Sequence, residues 1–481
     1  MASLSPDKFS ELSRVFSGEV LTDEASRLMY STDASAYREI PVAVVFPKNK
    51  DDIENLILFA RDNGTSIIPR TAGTSLAGQV VGSGIVADVS KYMTRIVEVN
   101  EKEHWVRVEP GVVLDELNIE MAKYGLFFGP ETSTANRCMI GGMVGNNACG
   151  AHSLVYGSTR DHTLELETIL SDGNEVVFKA IDNKEFDKKL KLQTVEGEVY
   201  RNVFNILDDE VNREKIENEF PHPELERRNT GYALDLLKDM NPFHENGDRF
   251  NFSKLLAGSE GTLAFTTSIK LNLVPLPPSN KTLVCVHLET VAESLKANLI
   301  ALKHNPVAVE LMDRTILELT HKNIEQEKNR FFIEGNPGAI LIVEFAEDDP
   351  SEINKKTKSM ELEMKAAGYG YHFPVITGPD MKKVWDLRKA GLGILNNMPG
   401  DAKPVAVIED TAVRPESLPE YISDFEEVLR KYNKECVYHA HIATGELHLR
   451  PILNLKDKKD VELFHTLAEE SAKRVKKYKV Q

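Results

Sequence analysis

The pattern of hydrophobic and polar positions in the first third of the chain predicts alternating strands and helices. A β-branched apolar run at 42–46 predicts a strand. After Asp51 and Asp52, apolar residues recur at helical spacing, which predicts a helix that ends at Gly64. A second strand is predicted at 66–68. Strand, helix and strand thus follow within about 30 residues, the size of a βαβ unit.

Downstream, the pattern predicts more short strands and a change of domain. The further strands of the first part lie near 85–89, 96–99 and 105–108. Residues 182–250 are more polar, and we interpret them as a loop-rich insertion on the surface of the first domain. Prolines at 275, 277 and 278 mark a boundary, after which strands and helices mix again. We therefore expect one domain at 1–278 and a smaller α+β domain at 279–481.

The charge of the chain excludes several classes of partner. Among its 481 residues, 75 Asp and Glu outnumber 58 Lys and Arg, which gives a net charge of −17. This excess argues against general binding to nucleic acid or anionic membranes. No window of about 18 apolar residues predicts a transmembrane segment.

Cysteine usage and the N-terminus indicate the compartment. The 4 cysteines form no CxxC pair, so the sequence predicts no iron–sulfur or zinc-thiolate cluster. Scattered thiols suit a reducing environment, and the N-terminal residues lack an apolar signal core. We therefore expect a cytoplasmic protein.

A loop of small residues follows the predicted βαβ unit and spans 69–79, with the sequence PRTAGTSLAGQ. Small residues let backbone N–H groups approach an anion, and the hydroxyls of Thr71, Thr74 and Ser75 can add hydrogen bonds. The loop lacks the Gly-Lys-Ser/Thr of a Walker motif and the GxGxxG of a standard dinucleotide fold. Taken alone, it is equally consistent with a tight surface turn.

Two further glycine-rich segments favour a ligand-binding role for the loop over a surface turn. The first spans 129–134 and 140–150, and the second spans 257–263. Their side chains have too little volume to form a core. Such segments allow the backbone to approach a flat or phosphorylated ligand closely.

Together the three segments resemble the flavin-binding domain of the vanillyl-alcohol oxidase and p-cresol methylhydroxylase (PCMH) family. Within it, they are most similar to the branch of D-lactate dehydrogenase, the glycolate oxidase flavin subunit and D-2-hydroxyglutarate dehydrogenase. The resemblance extends from about Glu19 to Tyr478. It implies an α+β protein in which a PCMH-type FAD-binding domain precedes a smaller substrate, or cap, domain.

The resemblance also implies which residues contact FAD. In this family the first loop cradles the pyrophosphate, the second group of segments lines the flavin and ribityl chain, and the third lies near the adenine. The residues carried over are Pro69, Arg70, Thr71, Ala72, Gly73, Thr74, Ser75, Leu76, Gly78, Gln79, Pro130, Glu131, Thr132, Ser133, Gly141, Gly142, Asn146, Asn147, Ala148, Gly150, Glu260 and Gly261. Some relatives attach FAD covalently through a histidine in the first loop. Residues 71–75 contain none, so we expect non-covalent FAD.

Charged residues of the second half are candidates for binding the substrate. Arg388 lies in a segment that resembles the substrate arginine of the family, and an arginine fork suits a carboxylate. Lys403 is a second candidate for that carboxylate, and Glu409 and Asp410 are candidates for orienting basic groups. Without the resemblance, we would interpret these residues as ordinary solvated charges. The segment that begins at Arg227 is a candidate for lining the active site or, alternatively, for forming a structured turn.

A predicted hairpin carries the metal-binding pattern. Strands at 438–442 and 447–449 bring His441 and His448 side by side, where two imidazoles can ligate a divalent metal such as zinc or manganese. His439 shares a face with His441 by strand alternation, and we interpret it as a supporting residue.

The chain departs from the family pattern around these histidines in two places. The usual Gly-Asp-Gly-Asn is replaced by Ala-Thr-Gly-Glu at 443–446, which resembles forms fused to an iron–sulfur domain. Relatives continue past a helix like 461–477 into a Gly-Glu-His-Gly segment, whose Glu is the third metal ligand. Because the chain stops at Gln481, we expect a truncated second domain, a missing third ligand and weak metal binding.

The resemblance implies an FAD-dependent oxidoreductase. It would oxidise a D-2-hydroxy acid of the lactate, glycolate or 2-hydroxyglutarate class to the 2-oxo acid by hydride transfer to flavin. An external electron acceptor or iron–sulfur partner would reoxidise the flavin. Two alternatives remain open: a non-catalytic flavin-binding or electron-transfer module of a larger assembly, and a metal-dependent hydrolase built on His441 and His448. The hydrolase leaves the glycine-rich segments unexplained.

Overall fold

The computed structural model describes residues 6–228 and 231–478, which form two compact units. The first unit comprises the described residues up to Cys149 together with Ser158–Phe220 and 231–276. The second comprises Gly150–Gly157, Pro221–Arg228 and 277–478.

Helices and strands are mixed along the chain. The strands are β1 (Glu19–Leu21), β2 (Ala43–Phe46), β3 (Ile67–Arg70), β4 (Ile85–Asp88), β5 (Ile96–Asn100), β6 (Trp105–Val108), β7 (Leu126–Phe127), β8 (Thr163–Ile169), β9 (Glu175–Phe178), β10 (Phe265–Asn272), β11 (Val274–Pro275), β12 (Asn280–Leu288), β13 (Ala308–Asp313), β14 (Ala339–Glu347), β15 (Val375–Thr377), β16 (Lys403–Pro404), β17 (Ile408–Ala412), β18 (Cys436–His441) and β19 (Glu446–Leu453). The α-helices are α1 (Pro6–Val15), α2 (Glu24–Met29), α3 (Lys50–Asp62), α4 (Leu114–Met121), α5 (Ile140–Asn146), α6 (Ser153–Tyr156), α7 (Thr159–His162), α8 (Asn183–Leu190), α9 (Val195–Asp208), α10 (Glu210–Glu219), α11 (Leu234–Lys238), α12 (Ser253–Leu256), α13 (Val291–Leu302), α14 (Arg314–His321), α15 (Ile324–Glu327), α16 (Pro350–Ala366), α17 (Asp380–Asn396), α18 (Leu418–Lys431) and α19 (Lys458–Lys477).

The first sheet of the first unit positions the loop at 69–79. Its strand order is β1-β2-β4-β3, with β2, β4 and β3 parallel and β1 antiparallel to β2. The predicted βαβ unit is present as β2, α3 and β3. Asn49 caps α3 by accepting a hydrogen bond from the Asp52 N–H, and Ile53 and Leu56 bury one face of the helix in the core of this sheet. The loop begins where β3 ends.

A second, five-stranded antiparallel sheet completes the first unit. Its order is β5-β6-β10-β8-β9, and β7 pairs separately with β11. Its core takes in apolar residues of α4 and α5, including Leu117 and Met143. Helix α5 carries glycines of the second predicted cofactor segment, so this core fixes their backbone.

The expectation that residues 182–250 are loop-rich was wrong, because the structure has α8, α9, α10 and α11 there. Asp182 and Thr194 cap the first two of these helices. In α9, Tyr200, Val203 and Leu207 recur at helical spacing and are buried in the core of the first unit. The polar composition of the segment partly reflects the exposed faces of these helices.

The second unit is built on one eight-stranded sheet. Its order is β15-β12-β14-β13-β18-β19-β16, and β17 also pairs with β19. Alternating side chains of the central strands point to opposite faces. One face packs on α13, α16 and α18, and the other packs on α14 and α17. The strands are therefore buried on both sides, which explains their nearly continuous apolar sequences.

None of the described helices combines the length and apolar character that crossing a bilayer requires. The mixed helices and sheets confirm the expected α+β class.

Replacing Phe250 by Ala should lower the free energy of unfolding of the first unit by about 3–5 kcal/mol, the usual cost of truncating a buried aromatic residue. Phe250 is 1% exposed, and its ring centroid lies 4.8 Å from those of Phe186 and Phe252. Urea denaturation followed by circular dichroism measures the change. Val211→Ala, at an exposed position of α10, should change stability by less than about 0.5 kcal/mol. Equal effects of the two substitutions would show that this helical segment does not pack on the unit.

Candidate functional site

The three glycine-rich segments, far apart in sequence, meet in the first unit. Gln79 Nε2 donates hydrogen bonds to Asn146 Oδ1 at 3.0 Å and to Glu260 Oε1 at 3.4 Å. The backbone N–H of Glu260 donates to the carbonyl of Gly145 at 2.9 Å. One side chain from the first segment therefore contacts both of the others.

Glycines allow the backbones of these segments to approach closely. Gly73, Gly78 and Gly261 have φ of 64°, 81° and 74°, a left-handed region that favours glycine. A Cβ atom on Gly142 would lie 2.6 Å from Thr71 Oγ1, and one on Gly261 would lie 3.0 Å from Pro69 Cγ. Side chains at these positions would push the segments apart.

The first loop also offers an unused hydrogen-bonding group. Ser75 Oγ is buried and has no hydrogen-bond partner among the described residues. A buried hydroxyl without a partner is costly unless a ligand or water satisfies it. Together with the close backbone approach, it fits the pyrophosphate of a dinucleotide.

The other predicted cofactor residues occupy varied places. Arg70 lies over the Tyr30 ring at 5.0 Å, and Thr132 Oγ1 donates to Cys138 Sγ at 3.3 Å. Asn147 is 1% exposed, and its Oδ1 accepts a hydrogen bond from the Arg160 N–H, so this side chain is already used within the protein. Pro130, Glu131 and Ser133 follow β7, Ala72, Thr74 and Leu76 lie in the first loop, Gly141 lies in α5, and Ala148 follows that helix. Gly150 belongs to the second unit.

A polar cluster interrupts one apolar face of the large sheet in the second unit. Strand alternation places Glu310, His439, His441 and His448 on the face that packs on α17. In the β18–β19 pairing, His439 lies opposite His448 and His441 lies opposite Glu446. The imidazole centroids of His441 and His448 are 5.2 Å apart. The predicted hairpin therefore does bring the two candidate metal ligands together.

Carboxylates lie beside the Nδ1 atom of each of these two imidazoles. His441 Nδ1 lies 2.8 Å from Glu310 Oε1. His448 Nδ1 lies 2.9 Å from Glu409 Oε2 and 3.2 Å from Asp410 Oδ1. An Nδ1–H that donates to a carboxylate leaves Nε2 with its lone pair free, the arrangement found around metal-binding histidines.

Glu310 also holds the candidate substrate arginine. Arg388 is 4% exposed, and its Nη2 pairs with Glu310 Oε2 while its Nη1 donates to His439 Nε2. Arg388 Nε has no hydrogen-bond partner among the described residues. One carboxylate thus joins Arg388 and His441, and an N–H of the guanidinium remains for a ligand.

Burial and neighbouring charges set the protonation of the cluster. Burial lowers the pKa of His441 to about 4, although Glu310 opposes this shift. Burial and the nearby Arg388 lower the pKa of His439 well below its usual value. Burial alone would lower the pKa of His448, but Glu409 and Asp410 outweigh it and raise that pKa. The His441 imidazole is therefore neutral at neutral pH, whereas a cation placed at His448 would compete with a proton.

Glu446 completes a possible set of metal ligands. It is fully buried, and each of His441, Glu446 and His448 offers one ligand atom within 4.8 Å of the others. Glu446 Oε2 pairs with Arg227, whereas Oε1 has no hydrogen-bond partner among the described residues. A buried carboxylate oxygen beside two imidazole nitrogens suits a divalent cation such as zinc.

The structure does not bring Lys403 to this cluster. Lys403 lies in β16 opposite Leu453, at the end of β19 that is far from His448, about 16 Å along the strand at about 3.3 Å per residue. Its Nζ donates to the carbonyl of Met398. A role for Lys403 in binding the same substrate carboxylate as Arg388 has no support from this placement.

Sequence reasoning missed Glu310 and assigned no role to Arg450. Glu310 is a single acid inside the apolar run 308–312, and such an exception is the signal that a search for buried acids would have found. Arg450 Nη2 pairs with Glu409 Oε1 at 2.8 Å. Both residues act on the histidines only through strand pairings that a local pattern does not reveal.

Two family profiles match consecutive parts of the chain. The first, described as FAD binding domain, matches residues 41–179, and the second, described as the C-terminal domain of FAD linked oxidases, matches 277–479. The chain therefore contains an FAD binding domain followed by the C-terminal domain of FAD linked oxidases.

Curated relatives share this family but are longer. The chain is 35% identical over 473 residues to D-2-hydroxyglutarate dehydrogenase of Pseudomonas putida, covering 96% of this chain and 46% of that protein. It is 24% identical over 443 residues to glycolate oxidase subunit GlcD of Bacillus subtilis, covering 91% of this chain and 79% of that protein. The chain thus spans about half the length of the D-2-hydroxyglutarate dehydrogenases that it matches.

Solved structures show the same fold. p-Cresol methylhydroxylase with substrate bound matches with a TM-score of 0.66 at 12% identity, covering 98% of this chain and 88% of that one. Alkyldihydroxyacetonephosphate synthase matches with a TM-score of 0.63 at 14% identity, covering 98% and 85%. The expected resemblance to PCMH-type flavoproteins is thereby confirmed.

Replacing Gly73 by Ala should weaken FAD binding at least tenfold, or about 1.4 kcal/mol, because a Cβ atom there would lie 2.6 Å from Arg70 Nη2 and displace the guanidinium within the loop. Gly64 is a matched control: its φ is 61°, close to that of Gly73, but a Cβ atom would meet no atom within 4 Å. Gly64→Ala should cost about 1 kcal/mol of stability through backbone strain and leave flavin affinity unchanged. Titration of the apoproteins with FAD measures the affinities, and equal values for both variants would contradict a cofactor role for the loop.

Proposed function

We propose that this chain is the FAD-dependent part of a dehydrogenase that oxidises a D-2-hydroxy acid to the 2-oxo acid. The FAD binding domain supports the cofactor. The names of the relatives, D-2-hydroxyglutarate dehydrogenase, glycolate oxidase subunit and D-lactate dehydrogenase, support the substrate class. The substrate is thus an acid that carries a carboxylate next to the hydroxyl to be oxidised.

The observation that carries this proposal is the shared carboxylate of Glu310. It pairs with Arg388 on one oxygen and with His441 on the other. Glu310 therefore contacts both the imidazole that we assign to the cation and the guanidinium that we assign to the substrate carboxylate. A 2-hydroxy acid presents its carboxylate and hydroxyl on adjacent carbons, which matches such a pair of groups.

The residues of the second unit have distinct roles in the proposed reaction, which transfers a hydride from the substrate C2 to the flavin and a proton from its hydroxyl to a nearby base. Bound FAD supplies the two-electron acceptor, and a bound divalent metal supplies a Lewis acid. Arg388 binds the substrate carboxylate through its free Nε–H. The Nε2 atoms of His441 and His448 hold the metal, and Glu310 and Glu409 keep the protons on Nδ1. The burial of these groups excludes water and strengthens each electrostatic contact.

We also propose how FAD is attached, where its electrons go and where the protein is located. FAD binds without a covalent bond, because residues 71–75 contain no histidine. Reduced flavin passes its electrons to an external acceptor or an iron–sulfur partner, since the sequence has no CxxC pair. The scattered cysteines favour the cytoplasm.

Anaerobic bleaching of the flavin tests the proposed function. The purified protein should be yellow, acid should release intact FAD, and D-2-hydroxyglutarate, D-lactate or glycolate should reduce the flavin. The L enantiomers of the first two acids are the control. A yellow protein that no acid of the panel reduces would instead be a flavin-binding or electron-transfer module.

Arg388→Ala should keep FAD bound and weaken binding of the acid substrate by about 2–5 kcal/mol. This is the usual cost of truncating one partner of a desolvated charge pair. Flavin-reduction titrations measure this as a loss of apparent affinity. Arg388→Lys should recover only part of it, because an ammonium restores the positive charge but not an Nε–H beside the two N–H groups that hold Glu310 and His439. Lys389→Ala, an exposed neighbour on α17, is the control. An unchanged affinity in Arg388→Ala would assign the arginine to the packing of the second unit alone.

A further inference from the structure

We infer that Glu446 is the third protein ligand of the divalent metal, so that this chain supplies a complete ligand set from a single hairpin. The inference rests on the proposed function, which assigns a metal to His441 and His448. The family resemblance implies a third ligand from a later Gly-Glu-His-Gly segment. Glu446 stands where the usual family motif has Asn, and it offers that ligand from within the hairpin.

Strand register delivers Glu446 to the histidines. Glu446 lies opposite His441 in the β18–β19 pairing, and it lies two residues before His448 on the same face of β19. The turn between the strands is fixed by Gly445, whose φ is 75°. Because a two-stranded register sets all three positions, the ligand set does not depend on a distant part of the chain.

The ligand atoms have suitable spacing. Glu446 Oε1 lies 4.0 Å from His448 Nε2. Two ligand atoms of a tetrahedral zinc, each at roughly 2.1 Å from the metal, lie roughly 3.4 Å apart. This pair of atoms is therefore only slightly farther apart than two ligand atoms of a bound zinc.

The two carboxylate oxygens of Glu446 have different neighbours. Oε2 pairs with Arg227, which also donates to the carbonyl of Gly150 at 3.2 Å and to Ser153 Oγ at 3.2 Å. Arg227 thus anchors one oxygen of the carboxylate. Oε1 is the oxygen that faces His448, and it is fully buried without a hydrogen-bond partner in the described part of the chain. A metal ion satisfies this otherwise costly atom.

The opposite side of His448 is a poorer site. His448, Glu409 and Asp410 also lie close enough to hold an ion. There, however, His448 would have to bind through Nδ1, the nitrogen already paired with both acids. Arg450 further neutralises Glu409. These contacts suit acids that orient the imidazole, and they leave Nε2 and Glu446 for the metal.

Metal titration without substrate tests the inference independently of catalysis. Metal-free protein is titrated with Zn²⁺ or Mn²⁺ against a chromophoric chelator. Wild type should bind one ion, and Glu446→Gln should weaken binding more than tenfold, which is the low end of what loss of an outer partner alone costs. Glu109→Gln, which removes a buried, arginine-paired carboxylate of the first unit, should leave the affinity unchanged. His441→Ala should weaken binding as strongly as Glu446→Gln.

The variants separate failure of the inference from failure of the proposed function. If His441→Ala leaves metal affinity intact, the proposed metal site itself is wrong. If His441→Ala loses the metal but Glu446→Gln binds as tightly as wild type, only the assignment of Glu446 is overturned. Should Glu446→Gln not fold, anomalous diffraction from zinc-soaked wild-type crystals decides. The peak should lie against Glu446 Oε1 and His448 Nε2, and a peak between His448 Nδ1 and Asp410 would overturn the inference.

Discussion

The candidate site of the second unit depends on one buried carboxylate, that of Glu310. An ionised carboxylate inside a sheet is tolerated only if hydrogen bonds and opposite charge replace the lost water. Arg388 and His441 provide both, and together they hold the pKa of Glu310 below its usual value even though burial alone would raise it. Because each partner needs the same carboxylate, their positions are coupled. The geometry that stabilises the buried acid is also the geometry that aligns a carboxylate-binding group with a metal-binding group.

Opposite charge likewise stabilises the buried carboxylates in the rest of the cluster. Glu409 pairs with Arg450 and orients His448, whereas Glu446 pairs with Arg227 and keeps one oxygen free. Among the described residues, four carboxylates lie with three guanidinium groups in this cluster. The remaining negative charge favours a proton on His448, whose pKa is raised, or a bound cation in place of that proton. The cluster replaces apolar packing on one face of the sheet, and a cost in stability at a functional site is expected.

Local patterns predicted much of the fold. The βαβ unit around β2 and β3 and the β18–β19 hairpin depend on residues close in sequence, and periodicity shows them directly. The helices in 182–250 were missed because their exposed faces are polar, although Asp182, Thr194 and the spacing of Tyr200 and its neighbours mark them. The convergence of the glycine-rich segments was anticipated from the family resemblance, because no single loop was specific.

The site itself was only half predictable. Strand alternation indicated that His439 and His441 share a face, and hairpin geometry placed His448 beside them. Glu310 was not predicted, because its contact with His441 requires the pairing of β13 with β18, more than a hundred residues away in sequence. For Lys403, in contrast, the sequence suggested a contact that the structure does not support. It follows α17 closely in sequence, but its strand joins the sheet at the far end of β19.

The central claim is that Glu310 positions the metal-binding and substrate-binding groups together, and the variant Glu310→Gln tests it most directly. Metal affinity is measured by chelator competition, and substrate affinity by flavin-reduction titration of the metal-saturated protein. The account predicts that both affinities fall, the metal affinity by about 10–100-fold, while the FAD content of the protein stays at the wild-type level. Loss of one affinity with the other intact would contradict it, because Arg388 and His441 would then be positioned independently of their shared carboxylate.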